Sequence, residues 1–420
     1  MSQLTPWAIL LTKWNDKPAE PNSLGFYQKL FTTAGTGTFN MTDYFDTMSH
    51  GSIDLSGSRV FGWFTLDQPQ SVYGVSLDRN GLRDAAKAKA TAAGVDLSKF
   101  SGVVVVMNTQ TDLCGWVGGW AALCDPLSLE PTVLGQEMGH GYGLLHSRVD
   151  GSTADYQDPW DTMSTWDGCY YASNPDYTLI GPGLCAANMR YIGWLDESRV
   201  WKPTTFGFTQ QVVLRPLHSR SLPGNLAAEV PGTAGGFLVE FRVPEDWDSA
   251  FPRAAVFVHR LSDGHSYRMI GSGGSSDLVA GDSFTWGNAA VSVLSFTSVH
   301  VDEINEKEHF AKVTLSYRPR EIINIPSIVG EIFGGVAVDG GGIIFVNGVP
   351  HPVDPWGPLV EVLVQVVAHG AADQIADPLV RMAAKQSALA RIVRISSGQL
   401  EDLTRLETPP APTRNIGGSD

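Results

Sequence analysis

The residues that most constrain this chain run from 131 to 146, Pro-Thr-Val-Leu-Gly-Gln-Glu-Met-Gly-His-Gly-Tyr-Gly-Leu-Leu-His. Pro131 to Gly141 reads as a helix. Gln136 and His140 stand four residues apart, so on a helix they project from one face toward a common point. Glu137, beside the first of them, points toward the open side of that point. Gly143 tolerates a positive φ without steric cost and lets the chain turn sharply. The turn brings His146 back to the same place. Three converging donors with a fourth position left open are what a catalytic zinc requires.

The run resembles the extended metzincin motif, His-Glu-x-x-His-x-x-Gly-x-x-His, with Gln136 replacing the first histidine. Downstream, Asp158-Pro159-Trp160-Asp161-Thr162-Met163-Ser164 resembles the metzincin Met-turn, with Met163 placed 17 residues after His146. Residues 182–194 are similar to the helix that follows that turn. The resemblance covers residues 1–203 and does not extend to the remainder.

It implies a zinc-dependent endopeptidase that hydrolyses peptide bonds of extracellular or cell-wall proteins. Gln136, His140 and His146 would be the metal ligands, and Met163 the floor beneath them. Glu137 would act as general base on metal-bound water and pass the proton to the leaving amine. An amide is a weaker donor than imidazole and carries no charge. Metal affinity should therefore fall by about one to two orders of magnitude, and other divalent ions stay open besides Zn2+. The gametolysin-like metzincins, peptidases of cell walls, include members with Gln-Glu-x-x-His here. A second reading keeps the fold without turnover: an inactive metzincin-like binding protein that recognises a surface polymer through its β-rich region.

Some assignments stay open between chemistry and packing. Tyr142, Tyr170 and Tyr171 are candidates to stabilise an oxyanion, or are packed rings. Several metzincins carry a tyrosine two residues after the methionine, where this chain has Thr165. Asp161 would bond within its turn or orient a ligand histidine. Gly115 to Trp120 falls where metzincins have the edge strand that pairs with extended substrate, or is an aromatic-packed loop. His50, His218, His259 and His265 lack ligand spacing and read as surface or core residues.

A formal charge of -15 excludes nucleic acid as a partner, because phosphate binding needs a basic face. No apolar run approaches the roughly 18 residues needed to cross a bilayer. The start, Met1 to Pro6, has no basic leader, and Trp7 to Leu11 is too short for a signal-peptide core. The expectation is a mature form, a trimmed chain or export by another route, with an extracellular or secreted location. Cys114, Cys124, Cys169 and Cys185 all fall in the first half, around the proposed site. Four cysteines allow three pairings, and sequence does not choose among them. Pairing neighbours would staple two loops beside the site and favour an oxidising compartment. Separate buried thiols are the alternative.

The fold expected is an α/β (α+β) metzincin-like domain over 1–203, then a β-rich region over 204–325. A small α/β segment over 326–408 and a disordered tail over 409–420 follow. In the first region, Trp7 to Leu11, Ile53 to Leu55 and Val60 to Phe64 read as strands, and Asn80 to Ala93 as a helix. Gly102 to Met107, apolar throughout, reads as a central buried strand. In the second, Gln211–Leu214, Phe237–Phe241, Ala255–Val258 and Lys312–Leu315 suggest a sandwich or barrel. This region is a candidate carbohydrate or cell-wall binding module, with Trp247 and Trp286 stacking on sugars or simply packed. The third region holds a Gly340–Gly342 turn, a strand at Ile343–Val346 and a helix from Pro378 to Ile395 docked on the β region.

Overall fold

The computed structural model describes residues 2–74, 78–165, 168–205, 207–232, 236–287 and 295–319, together with the backbone of 343–346 and 349–352. The chain divides into two units, residues 1–321 and 322–420.

The first unit opens on a five-stranded sheet. Its strands are β1 (Trp7–Lys13), β2 (Arg59–Thr65), β3 (Gly102–Met107), β4 (Cys114–Trp116) and β5 (Ala121–Cys124), ordered β2-β1-β3-β5-β4. All neighbours are parallel except β4, which runs antiparallel to β5 at one edge. The continuous apolar run of β3 is explained by burial on both faces. Val104 and Val106 join the core on one side, and Val103, Val105 and Met107 the core on the other. Helices α1 (Leu24–Phe31), α2 (Met41–Met48), α4 (Pro131–Tyr142) and α5 (Ala186–Tyr191) belong to the first side. Helix α3 (Arg79–Ala92) covers the second side through Leu82, Ala86 and Ala90, four residues apart along one stripe.

Ten later strands build two more sheets. A short β6 (Arg148–Val149) precedes β7 (Val200–Trp201), β8 (Phe208–Leu214), β9 (Ala227–Val230), β10 (Phe237–Arg242), β11 (Ala255–Ser262), β12 (His265–Arg268), β13 (Ser283–Gly287), β14 (Phe296–Asn305) and β15 (Phe310–Arg318). They make a six-stranded sheet, β7-β9-β10-β11-β12-β6, and a four-stranded sheet, β8-β15-β14-β13. Alternate residues of both sheets, among them Val239, Phe241, Val256, Val299 and Val313, share one core, so this part is a sandwich. Because β6 is an edge of the six-stranded sheet, residues 1–203 and the β-rich region are joined by main-chain hydrogen bonds.

The whole is a mixed α/β, sheet-rich molecule, and the strands and the helix expected within 1–319 are present. In the second unit, Ile343–Val346 pairs antiparallel with Val349–Pro352 as a hairpin. The Gly340–Gly342 turn, the Pro378–Ile395 helix and the 409–420 tail lie outside the described residues. No helix among the described residues is long and apolar enough to cross a membrane.

The expected disulfides are not formed among the described residues. Cys114 lies opposite Leu123 across the β4–β5 ladder and shares its face, whereas Cys124, one residue on, points to the other face. No bond can span the sheet between them. Cys169 Sγ lies 2.9 Å from the Ser164 carbonyl, and Cys185 Sγ lies 3.2 Å from Ser266 Oγ. The disulfide argument for an oxidising compartment falls with the pairing. Of the two readings for Trp247, stacking on sugars or packing, the structure shows packing, with the residue 3% exposed, and the Trp286 ring packs 5.6 Å from that of Phe237.

Candidate functional site

Helix α4 begins with Pro131 in its first turn, where the missing N–H costs nothing. It ends at Gly143, whose φ of 109° is the left-handed turn that only glycine adopts freely. Every residue from Pro131 to Gly141 is buried, so a polar side chain here must be paired or have a task. Gln136, Glu137 and His140 are 2%, 4% and 5% exposed.

The turn at Gly143 returns His146 to the helix. His140 Nε2 and His146 Nε2 are 3.0 Å apart, with the two rings nearly perpendicular. The other nitrogens are engaged: His140 Nδ1 donates to the Leu144 carbonyl at 2.8 Å, and His146 Nδ1 faces Asp155 Oδ2 at 3.3 Å. Both rings therefore turn Nε2 toward one point, near the separation of about 3.3 Å that two nitrogens on one tetrahedral zinc would have. Burial pushes His140 down to about 4 and lowers His146, against the pull of the Leu144 carbonyl and of Asp155 respectively. Neutral imidazoles are the ligating form.

Gln136 donates from Nε2 to Glu137 Oε1 at 3.0 Å, and its own Oε1 is buried without a partner. An orphaned buried acceptor costs free energy unless something cationic or hydrogen-donating meets it. Among the described residues no group of three or more His, Cys, Asp or Glu is placed to hold a metal. The Gln136 oxygen, buried without a partner on the same helix as His140, is an acceptor that a cation could meet. Burial pushes Glu137 up to about 7, tempered by the Gln136 amide, the Gly115 N–H and the Arg79 charge. A carboxyl so placed exchanges a proton near neutrality.

Met163 is fully buried on the turn Thr162–Ser164. Its Sδ lies 3.3 Å from where a Cβ on Gly139 would stand, which places it against the underside of α4. Asp161 holds this turn. Its carboxylate accepts from the Met163 N–H at 3.2 Å, Asn188 Nδ2 at 2.7 Å, the Cys185 N–H at 2.6 Å and the Ser147 hydroxyl. Of its two expected roles, the structure shows the one within the turn; the link to the ligand loop passes through Ser147 rather than a histidine. Tyr142 bonds Thr5 and Trp7 and packs among Trp7, Trp120 and Trp194, and Tyr170 stacks on Trp160. Both are packing residues. Tyr171 is half-buried, and Thr165 is buried.

Sequence reasoning missed how much of the site comes from the β-rich region. His265 Nδ1 donates to the His146 carbonyl at 2.7 Å, and β6 pairs with β12, Arg148 opposite Tyr267. Arg148 Nε donates to Asp155 at 2.8 Å, and Tyr156 lays its ring 4.1 Å from that of His146. Below, His259 Nε2 meets Asp158 Oδ2 at 2.8 Å, and Glu240 lies 3.6 Å from its Nδ1. Glu240 also bonds the Ala186 N–H and Arg242, and Arg242 pairs with Asp248. His259 is a core residue, as expected, and with His265 it also braces the loop bearing His146 and the turn beneath it. Their distance in sequence, more than a hundred residues from their partners, left no spacing to read. His50 Nε2 bonds the Leu217 carbonyl, beside His218, away from this group.

Strand β4 is the free edge of its sheet: among the described residues no strand pairs with its outer side. Gly115, at its centre, presses on α4. A Cβ there would come within 2.2 Å of the Glu137 carbonyl oxygen and 2.6 Å of His140 Cβ.

No family model matches this sequence, and no curated protein matches it. Among solved structures, wild-type OgpA from Akkermansia muciniphila is similar in two crystal forms, with 11% and 12% identity and a TM-score of 0.31. Each covers 76% of this chain, and 96% and 94% of that chain. Catalytically inactive OgpA in complex with an O-glycopeptide (glycodrosocin) substrate has 10% identity and a TM-score of 0.30. It covers 74% of this chain and 91% of that chain.

Proposed function

We propose that this chain is a metal-dependent endopeptidase of the metzincin type, with Gln136, His140 and His146 holding the metal and Glu137 as its base. The observation that carries the reading is the pair of Nε2 atoms facing each other at 3.0 Å, with an orphaned Gln136 oxygen and the Glu137 carboxyl on the same helix as His140. Zinc, when bound there, supplies a Lewis acid for the attacking water and the scissile carbonyl. Glu137 takes one proton from that water as its oxygen bonds to the carbonyl carbon. The same carboxyl then delivers the proton to the amide nitrogen as the C–N bond breaks, leaving a carboxylic acid and an amine. The Gln136 amide and the Gly115 N–H orient that carboxyl. An extended peptide fits the free edge of β4 by main-chain hydrogen bonding.

The test is proteolysis by the full chain. Glu137→Ala should lower turnover by about 10²-fold or more. Chelation should abolish it and added zinc restore it, with about one zinc per chain by elemental analysis. Full activity in Glu137→Ala would overturn the mechanism. One observation favours a second reading, a binding protein without turnover: the uncharged Gln136 donor. That reading expects metal binding, or none, with no cleavage of any extended peptide.

A further inference from the structure

Around the proposed site the edge strand is bordered by two different surfaces. Gly115 faces α4, Glu137 and His140. Cys114 and Trp116, its neighbours, point the other way, toward the core beneath α3. There the first turns of α3 form a lip over β4. Arg79 pairs through Nε with Asp112 and lies against Cys114. Asn80 accepts from the Trp116 indole at 2.8 Å, and the Arg83 guanidinium stacks 4.9 Å from the Trp116 ring. In a chain with a net charge of -15, this lip sets two guanidinium groups along the edge strand, each paired through Nε, Arg79 with Asp112 and Arg83 with Asp84 at 2.8 Å. The Arg79 side chain is 46% exposed, and its charge reaches Glu137.

A peptide added to β4 alternates its side chains in the same way. The residue beside Gly115 faces the site. The residues before and after it project to the α3 side, one toward Arg79 and the other toward Trp116 and Arg83. Arginine offers five donors in a planar fork that matches a carboxylate, and the bond to Asp112 uses its Nε edge.

We propose that Arg79 is a specificity-determining residue that selects peptides with an acidic side chain adjacent to the residue facing Glu137. The proposal rests on the peptidase reading of the site. Its magnitude is that of a half-exposed ion pair, so acidic over neutral peptides should gain about two- to fivefold in kcat/KM.

The experiment uses the full chain with zinc and internally quenched peptides that differ only in Asp, Asn or Lys, scanned along the sequence. At one position the order should be Asp over Asn over Lys, shrinking in about 0.5 M salt. Arg79→Glu should invert that order, Arg79→Lys keep it, and Asp112→Asn, which frees the guanidinium, steepen it. Unchanged melting temperatures separate these effects from misfolding. Equal rates for all three peptides, or an order that survives in Arg79→Glu, overturn the proposal. If nothing is cleaved, the peptidase reading fails, and fluorescence anisotropy of the labelled Asp and Lys peptides decides the selectivity. Tighter binding of the Asp peptide that Arg79→Glu reverses supports it; equal affinities overturn it.

Discussion

In the proposed site Gln136 would be the uncharged donor, and Gly115 is pressed against the helix that carries it. Replacing the amide by an imidazole exchanges a neutral oxygen for a stronger nitrogen donor. Gln136→His should therefore tighten zinc binding by about tenfold or more, measured by competition with a chromophoric chelator. Weaker binding than the native chain would argue that Gln136 is not a ligand. Gly115 fills a space no larger residue can occupy, because its Cβ would overlap the backbone of α4 at Glu137. Backbone cannot give as a flexible side chain can. Gly115→Ala should cost about 1–3 kcal/mol of stability and shift β4 away from Glu137, raising KM. Thermal unfolding with steady-state kinetics checks it, and unaltered values of both would exclude the close approach.

The loop bearing His146 and the turn at Met163 are elements held from outside. His259 sits fully buried between Asp158, at 2.8 Å, and Glu240, at 3.6 Å. Burial alone would lower its pKa, but the two carboxylates outweigh burial and raise it above the ordinary 6.5. A histidine whose folded pKa is raised contributes stability that is complete below the unfolded value and is lost as pH rises through the folded one. The melting temperature should thus fall as pH climbs above 6.5 through the raised value, and His259→Gln should remove that part of the slope. The same variant leaves Asp158 and Glu240 buried without their cation and should cost about 3–5 kcal/mol. A pH profile identical to the native one would refute the assignment.

At the scale of the molecule, the β-rich region is part of the site rather than an appendage. It supplies β12 to pair with β6, His265 to the His146 carbonyl, and the buried Arg242, Glu240 and His259 to the segments around Asp158 and Ala186. A chain ended after residue 203 would expose these groups unpaired. It should show no cooperative unfolding and no zinc binding, whereas one ended after 321 should retain both, as calorimetry and zinc titration would show. Zinc binding by the 1–203 fragment at native affinity would contradict this.

The sequence alone determined what depends on near neighbours. The spacing of Gln136, Glu137 and His140 along one helix, the turn that only Gly143 makes easily, and the buried strand Gly102–Met107 all follow from local periodicity and backbone preference. Tertiary structure decided what depends on distant partners. The β4–β5 register put Cys114 and Cys124 on opposite faces and removed the expected bond. The pairing of β6 onto the edge of the six-stranded sheet brought His259 and His265 under a loop more than a hundred residues away. A fold along the α3 side set Arg79 beside the edge strand. Such contacts have no period to read, because loop closure over long separations costs so little more with length that any of many partners could have been chosen.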